Sequence, residues 1–455
     1  MRYNSDTIVA ISTAPGVGGI AIVRISGPDA LRVFMGAFRG ANRHTPLESH
    51  LFRYGHVISG DRPVDEAMGV FFKAPRSYTL EDVAEIHCHG GFMAATITLR
   101  ACIALGARPA LPGEFTYRAF VNGRVTLSQA EAVMHMISAQ GEASVRAAMR
   151  QLEGHLPKFI NECRASLTTM LAQIAAAADF PDEIDEQATS ESLLSELHAL
   201  IAKLDHTTDE SAARVLREGL SVAIVGKPNV GKSSLLNAML GAERAIVSDM
   251  PGTTRDVVSE RLMIEGIPVR LSDTAGLREP SDALESRGVE LAKREATQAD
   301  IVLAVLDASA PLDSQDELLL QSLNARCFVL LNKIDMPMTL SVQEIQRLTG
   351  KNEDDIILLS ARAGMGLDRL IESLKSLVRR LTPDNALLTN ERHIARALAA
   401  RTHLGAASEL IINGLPLDLA AVDLTEASAT LGEISGITAA DEVIDAVFEQ
   451  FCVGK

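Results

Sequence analysis

Gly226-Lys227-Pro228-Asn229-Val230-Gly231-Lys232-Ser233 sets two glycines and a Lys-Ser pair at the spacing GxxxxGK[ST]. Residues of these types at this spacing bind phosphate. The glycines let backbone N–H groups wrap an anion, and Lys232 brings positive charge to the β- and γ-phosphates. The Ser233 hydroxyl suits Mg2+. Asn229, Val230, Gly231 and Ser234 complete the segment that would touch the nucleotide. Downstream, Asp273-Thr274-Ala275-Gly276 offers a carboxylate to reach Mg2+ through water and a glycine N–H to sense the γ-phosphate. Between the two, Gly252-Thr253-Thr254-Arg255-Asp256 stands where a first switch loop belongs, with Thr254 as the second Mg2+ hydroxyl. The base is read further on. In Asn332-Lys333-Ile334-Asp335, the Asp335 carboxylate can accept from guanine N1–H and the 2-amino group. Adenine lacks both donors, so a buried carboxylate would go unpaired against ATP. Ser360-Ala361-Arg362 fits the loop that closes over the base. The motifs in this order predict a guanine-nucleotide-binding P-loop GTPase.

These residues need elements to hold them. Apolar Leu220–Val225 before the phosphate loop reads as a strand, and Ser234–Leu240 after it as a helix whose N-terminal dipole faces the anion. Val269–Leu271, Cys327–Leu331 and Ile356–Leu359 are further apolar runs, each just before a motif. Strands alternate with helices from about 216 to 380, which predicts a parallel α/β domain. Residues 1–122 are β-rich: Ile8–Ile11 and Ile20–Ile25 flank a glycine turn, and helices are expected from about Asp29 and Gly91. Residues 123–215 and 381–455 are helical. Ser128 and Glu131 are spaced as a capping box. Ala130, Val133, Met134 and Ile137 then share one helical face, and Leu194, Leu197, Ile201 and Leu204 hold helical spacing within 191–213. Another helix is expected near 158–178, with the acidic segment Asp179–Glu186 as a turn. The fold class expected is multidomain α/β. A P-loop domain is inserted in an α-helical domain and preceded by an α+β N-terminal domain. Two separate helical domains remain the alternative.

Composition narrows the function. The 455 residues carry a formal net charge of −16, so no broad basic surface advertises nucleic-acid binding. Aromatic residues make up 4%, too few for a base-stacking platform. Cys88, Cys102, Cys163, Cys327 and Cys452 include no CxxC pair, so neither a disulfide framework nor a zinc site is indicated. His87-Cys88-His89 places two histidines on one face of a strand, without further ligands close by. The opening MRYNSDTIVA does not read as a signal peptide, and no apolar run is long enough to span a membrane. The expectation is a cytoplasmic protein without membrane partners.

GKPNVGKS at 226–233, PGTTRD at 251–256, DTAGLRE at 273–279 and the terminal Phe451-Cys452-Val453-Gly454-Lys455 together resemble the MnmE (TrmE) family of tRNA-modification GTPases, over essentially the whole length. The resemblance implies a folate-binding-like N-terminal domain through which two copies form a homodimer. It implies an FAD-dependent, MnmG-like partner, with which the family forms a heterotetramer. The pair would act on tRNA, placing an aminomethyl or carboxymethylaminomethyl group at C5 of the wobble uridine. The one-carbon unit would come from a 5,10-methylene- or 5-formyl-tetrahydrofolate. Leu277 stands where Ras-like proteins hold a water-orienting Gln, and leucine cannot do that work. The family instead uses K+ between paired G domains, and the matching positions are Asn229, Ser248, Met250 and Thr253. Glu285 matches the acidic residue that positions water. Arg24, Glu81 and Arg124 match the folate pocket, where the family commonly has Lys at the last position. Cys452 becomes a nucleophile of the one-carbon chemistry, and Lys455 reaches toward the folate. The rival reading is a ribosome-assembly switch GTPase, which would carry a basic RNA-binding module.

Overall fold

The computed structural model describes residues 6–42, 47–242, 260–273, 299–321, 326–382 and 387–454. They form two compact units. One comprises Met1–Met134, Arg150–Leu204 and Ala395–Lys455; the other comprises His135–Met149 and Asp205–Ile394.

The first unit begins with a seven-stranded sheet: β1 (Ile8–Ile11), β2 (Ile20–Ser26), β3 (Phe38–Gly40), β4 (Arg53–Ser59), β5 (Arg62–Phe72), β6 (Val83–His89) and β7 (Arg108–Pro109). The order is β3-β4-β5-β6-β2-β1-β7, antiparallel except where β7 pairs with β1. Alternation sets the faces. Ala21, Val23 and Ile25 of β2 are buried with Ala84, Ile86 and Cys88 of β6 under the helices Ala30–Ala37 and Phe92–Ala104. Arg24 and Ser26 share the other face. The helical part of this unit packs His155–Asp179 against Leu417–Ser435. Leu156, Ile160, Cys163, Leu167, Met170 and Ile174 are buried at alternating four- and three-residue steps, one apolar stripe down the first helix. Ala420, Leu424, Ala427, Leu431 and Ile434 supply the stripe of the second. The two helical stretches that flank the α/β segment in sequence thus share one core.

Two local expectations change. The helix after residue 125 is Leu127–Ser138, and its capping pair is Thr126 with Gln129. Gln129 N–H donates to Thr126 Oγ1 at 3.3 Å while Thr126 N–H donates to Gln129 Oε1 at 2.9 Å. Ser128 and Glu131 lie inside the helix and are buried, so they cannot cap it. The expected 191–213 helix is two helices, Glu186–Asp205 and Glu210–Glu218. The break falls at Asp209, whose carboxylate accepts from Ser211 and Ala212 N–H and starts a new helix. Its buried stripe is Leu193, Leu197, Leu200 and Leu204; Leu194 and Ile201 stand one position off it, half-buried.

The second unit holds a six-stranded sheet: β8 (Leu220–Val225), β9 (Glu260–Ile264), β10 (Ile267–Asp273), β11 (Ile301–Asp307), β12 (Cys327–Asn332) and β13 (Ile356–Leu358). The order β13-β12-β11-β8-β10-β9 is parallel except for the β9–β10 hairpin. β8, β11 and β12 are apolar almost throughout, as strands covered on both faces must be. The functional loops leave the carboxyl ends of β8, β10, β12 and β13, the side where open α/β sheets bind ligands. Ala143 and Ala147, from the helix Glu142–Leu152, belong to the same core as Val215, Leu216 and Ile264.

Candidate functional site

The phosphate loop runs from the end of β8 to the helix Lys232–Ala242. Its backbone bends through positive φ at Asn229 (64°) and Gly231 (101°). A Cβ at Gly231 would collide with the Asn332 side-chain amide, so glycine is required there for space as well as for φ. Lys232 is buried, and its ammonium donates to the carbonyls of Gly226 (2.8 Å) and Lys227 (2.7 Å). The loop therefore encloses the charge that would meet phosphate. Val230 is buried beneath it, while Asn229, Ser233 and Ser234 are exposed on it.

The residues expected to read the base are held to this loop by one buried side chain. Asn332 Nδ2 donates to Val230 O at 2.7 Å, and Asn332 Oδ1 accepts from Ala361 N–H at 2.9 Å. One amide thus ties the phosphate loop to the Ser360–Arg362 loop. Its motif marks Asn332 in the sequence, but only the fold reveals what it bridges. Ser360 is buried, and its Oγ accepts from Ala363 N–H. Ala361 is buried and Arg362 exposed. Lys333 has φ 70° and donates to Asp307 Oδ2 at 2.5 Å. Burial by itself pushes Asp307 up, but the hydrogen bonds from Lys333 and Ser309 hold it below the usual carboxylate range. Asp335 is exposed in the turn after Lys333, so the burial that would make it discriminate against adenine has to come from the bound base itself.

In the first unit, Arg24 and Arg124 converge on Tyr78. The Arg24 guanidinium lies 5.5 Å from the ring centroid and that of Arg124 lies 4.8 Å from it. Arg24 Nε donates to Glu85 at 2.8 Å, across the β2–β6 pair, and Arg124 Nη1 donates to Tyr78 O at 2.9 Å. The Tyr78 hydroxyl is hydrogen-bonded to Thr116 Oγ1 at 2.9 Å. Glu81 reaches the same face of β2 as Arg24, for its Oε2 accepts from Ser26 Oγ at 2.6 Å. Arg118 Nη1 also donates to Glu81, and Arg118 in turn meets Asp6 (2.8 Å) and Glu114 (3.0 Å). No motif announced Tyr78 or Arg118. Tyr78 becomes visible only when β2 and the segment after Ala119 are brought together.

The carboxyl-terminal segment belongs to this unit too. The segment is held at several points. Phe451 is buried, its ring 5.4 Å from that of Phe448. Cys452 O accepts from Gly113 N–H at 3.3 Å, and Gly454 O from Ser12 Oγ at 2.9 Å. Gly454 has φ 95°, and a Cβ there would lie 3.0 Å from Ser12 Cα. The Cys452 side chain stays exposed between these anchors. His87 and His89 point to separate carboxylates, Glu85 (3.1 Å) and Asp65 (2.6 Å). Among the described residues no group of three or more His, Cys, Asp or Glu could hold a metal, and no helix is long and apolar enough to cross a membrane. Ser248, Met250, Thr253, Thr254, Thr274, Ala275, Gly276, Leu277, Glu285 and Lys455 lie outside the described residues; Asp273 is described only as the end of β10.

A family model described as the MnmE helical domain matches residues 127–452. Another, described as the GTP-binding protein TrmE N-terminus, matches residues 7–124. The tRNA modification GTPase MnmE of Levilactobacillus brevis is 42% identical over 460 residues, covering 99% of this chain and 98% of that protein. The same-named protein of Bacillus anthracis is 41% identical over 460 residues, with 99% of each covered. That of Streptococcus thermophilus is 42% identical over 459 residues, with 99% and 98% covered. By two family models and by identity over nearly its whole length, the chain belongs to the MnmE (TrmE) family.

Proposed function

We propose that this chain hydrolyses GTP to drive modification of tRNA in the cytoplasm. The observation that carries the reading is the Asn332 bridge, which joins a phosphate-binding loop to a base-closing loop. On this reading Ser233 and Thr254 would hold Mg2+, and Asp273 would supply a carboxylate to it. When bound, that ion neutralises charge on the β- and γ-phosphates. Asn229, Ser248, Met250 and Thr253 hold K+, and Glu285 orients the attacking water that Leu277 cannot.

The chain acts as a homodimer with an FAD-dependent, MnmG-like protein, in a heterotetramer. Together they add an aminomethyl or carboxymethylaminomethyl group at C5 of the wobble uridine. Two guanidiniums on one aromatic ring suit a ligand that carries both an aryl group and carboxylates, as a tetrahydrofolate does. Glu81, oriented by Ser26 and Arg118, suits the adjacent N–H donors of a pterin. Lys455 is assigned to the folate tail. Cys452, exposed on an anchored segment, is assigned as a nucleophile.

Two measurements test this. GTP hydrolysis is compared in KCl and NaCl at equal ionic strength, for the wild type and Asn229→Ala. Strong stimulation by K+, lost in the variant, is expected; equal rates in both salts would remove the potassium site. Nucleoside analysis of tRNA incubated with the chain, GTP, a tetrahydrofolate as carbon donor, ammonium or glycine as nitrogen donor, and the reduced FAD-dependent partner is expected to yield C5-substituted uridine. Its absence with a competent partner would refute the tRNA reading.

A further inference from the structure

Lys227 is the second residue of the phosphate loop, and nothing in the motif assigns it a role. Its ammonium is gripped by Asp313 Oδ2 at 2.7 Å and Asp316 Oδ2 at 2.5 Å. Both carboxylates stand at the start of the helix Ser314–Gln321. Asp313 Oδ1 accepts from Gln315 and Asp316 N–H, and Asp313 N–H donates back to Asp316 at 3.3 Å. The two aspartates thus form a reciprocal helix cap that is rigid before it meets Lys227. The Asp316 side chain is 7% exposed. A carboxylate buried that far needs a cation partner. Burial by itself pulls the Lys227 ammonium down, but the bonds to Asp313 and Asp316 outweigh it and hold the group charged.

The same stretch of chain has a second anchor. It begins at Asp307, which holds Lys333 of the base-reading loop. Ser309 O accepts from Thr339 Oγ1 at 3.0 Å, and Ala308 O from Thr339 N–H at 2.7 Å. Residues 307–316 therefore touch both halves of the nucleotide site, and at each end a carboxylate meets a lysine of a recognition loop. The Lys227 carbonyl is also one of the two that hold the Lys232 ammonium. When Lys232 turns to a phosphate, that hold on the loop is released and the Lys227 side chain still fixes it.

We propose that residues 307–316 act as a positioning strap for the nucleotide: Asp313 and Asp316 preorganise the phosphate loop through Lys227, and Asp307 sets the base-reading loop through Lys333. The strap rests on GTP binding at this site, and the two ends should fail differently. Lys227→Met removes one anchor and leaves Asp313 and Asp316 unneutralised near the triphosphate. Its affinity for GTP and GDP is expected to fall about ten-fold, with KM rising more than kcat falls and the GTP-over-ITP preference kept. Lys227→Arg is expected to recover most of that affinity. In the double variant Lys227→Met/Asp316→Asn the losses should be less than additive, because both changes break one contact. Asp307→Asn is expected to shrink the GTP-over-ITP preference. Binding of GTP, GDP and ITP to the full chain by calorimetry, steady-state GTP hydrolysis, and a thermal melt of each nucleotide-free variant read all of this. Wild-type affinity in Lys227→Met, strict additivity in the double variant, or an unchanged base preference in Asp307→Asn would overturn the strap. If Lys227→Met does not fold, Asp316→Asn and Lys227→Arg carry the same comparison. Failure of the wild type to bind GTP at all would instead remove the functional reading on which the strap rests.

Discussion

At the scale of single residues, environment sorts side chains that look alike in the sequence. Five cysteines are scattered along the chain with nothing to rank them. In the fold, Cys88, Cys102, Cys163 and Cys327 are buried and Cys452 is exposed. Burial pushes the Cys102 and Cys327 thiols up to about 12 and Cys163 up to about 11, and it raises Cys88 as well. Alkylation proceeds through the thiolate, so burial suppresses it twice, by access and by acidity. A maleimide at roughly pH 8 is expected to modify one thiol quickly in the native protein and all five after denaturation. Cys452→Ser should abolish the fast phase. Two or more fast thiols in the native protein would contradict the assigned burial. Ser12→Ala should speed the Cys452 reaction, since it frees the Gly454 carbonyl that anchors the segment two residues on. The chemical identity of Cys452 was legible in the terminal motif. Its restraint was not, because Ser12 and Gly113 lie more than 300 residues upstream in sequence.

At the scale of elements, the motifs and apolar runs were legible because each functional loop directly follows a buried strand. The runs read at Leu220–Val225 and Cys327–Leu331 are β8 and most of β12. Helix ends were less legible, because a polar residue that can cap a helix can also lie buried within one, as Ser128 does. Leu194 and Ile201 misled for a related reason: in a leucine-rich helix more than one stripe fits helical spacing, and only the partner surface chooses. The bridge between loops was the least legible feature, since it joins residues far apart in the chain. Asn332→Ala tests it. The change leaves Val230 O and Ala361 N–H without their partner in a buried place, at about 1–3 kcal/mol for each group left unmade. Thermal melting of the nucleotide-free protein should show a lower transition, and KM for GTP should rise. Asn332→Asp keeps the acceptor for Ala361 but turns a buried carboxylate oxygen on the Val230 carbonyl, so at neutral pH it should melt no higher than the alanine variant. A melt and a KM equal to wild type in Asn332→Ala would remove the bridge from the account.

At the scale of the whole molecule, two units with separate cores carry separate sets of buried charge. In the first, Arg118 is 1% exposed and gathers Asp6, Glu81 and Glu114 around one guanidinium. Burial by itself pushes Glu114 up, but hydrogen bonds from Arg108, Leu111 N–H and Arg118 outweigh it and set its pKa below the usual range. For Asp6 the hydrogen bond from Arg108 is the largest cause, and it too is held low. A carboxylate with a depressed folded-state pKa adds stability that is complete above its unfolded pKa. That stability is lost as pH falls through the folded value. The first unit should therefore keep this contribution at neutral pH and lose it only in acid, below about pH 4. Arg118→Met removes the cation shared by Glu81 and Glu114, while Arg108 still meets Glu114 and Asp6. Breaking a buried pair outright costs about 3–5 kcal/mol, and the pairing that Arg108 keeps should hold the loss below that range. The cost should be greatest at neutral pH and shrink as pH falls, because protonation relieves the variant while it weakens the wild type. Urea denaturation of the full chain across pH, followed by hydrogen exchange in residues 6–134, separates this unit from the other. A wild-type-to-variant difference that stays constant from neutral pH into acid would mean that Arg118 acts by packing alone and that the carboxylates around it contribute no pH-dependent stability.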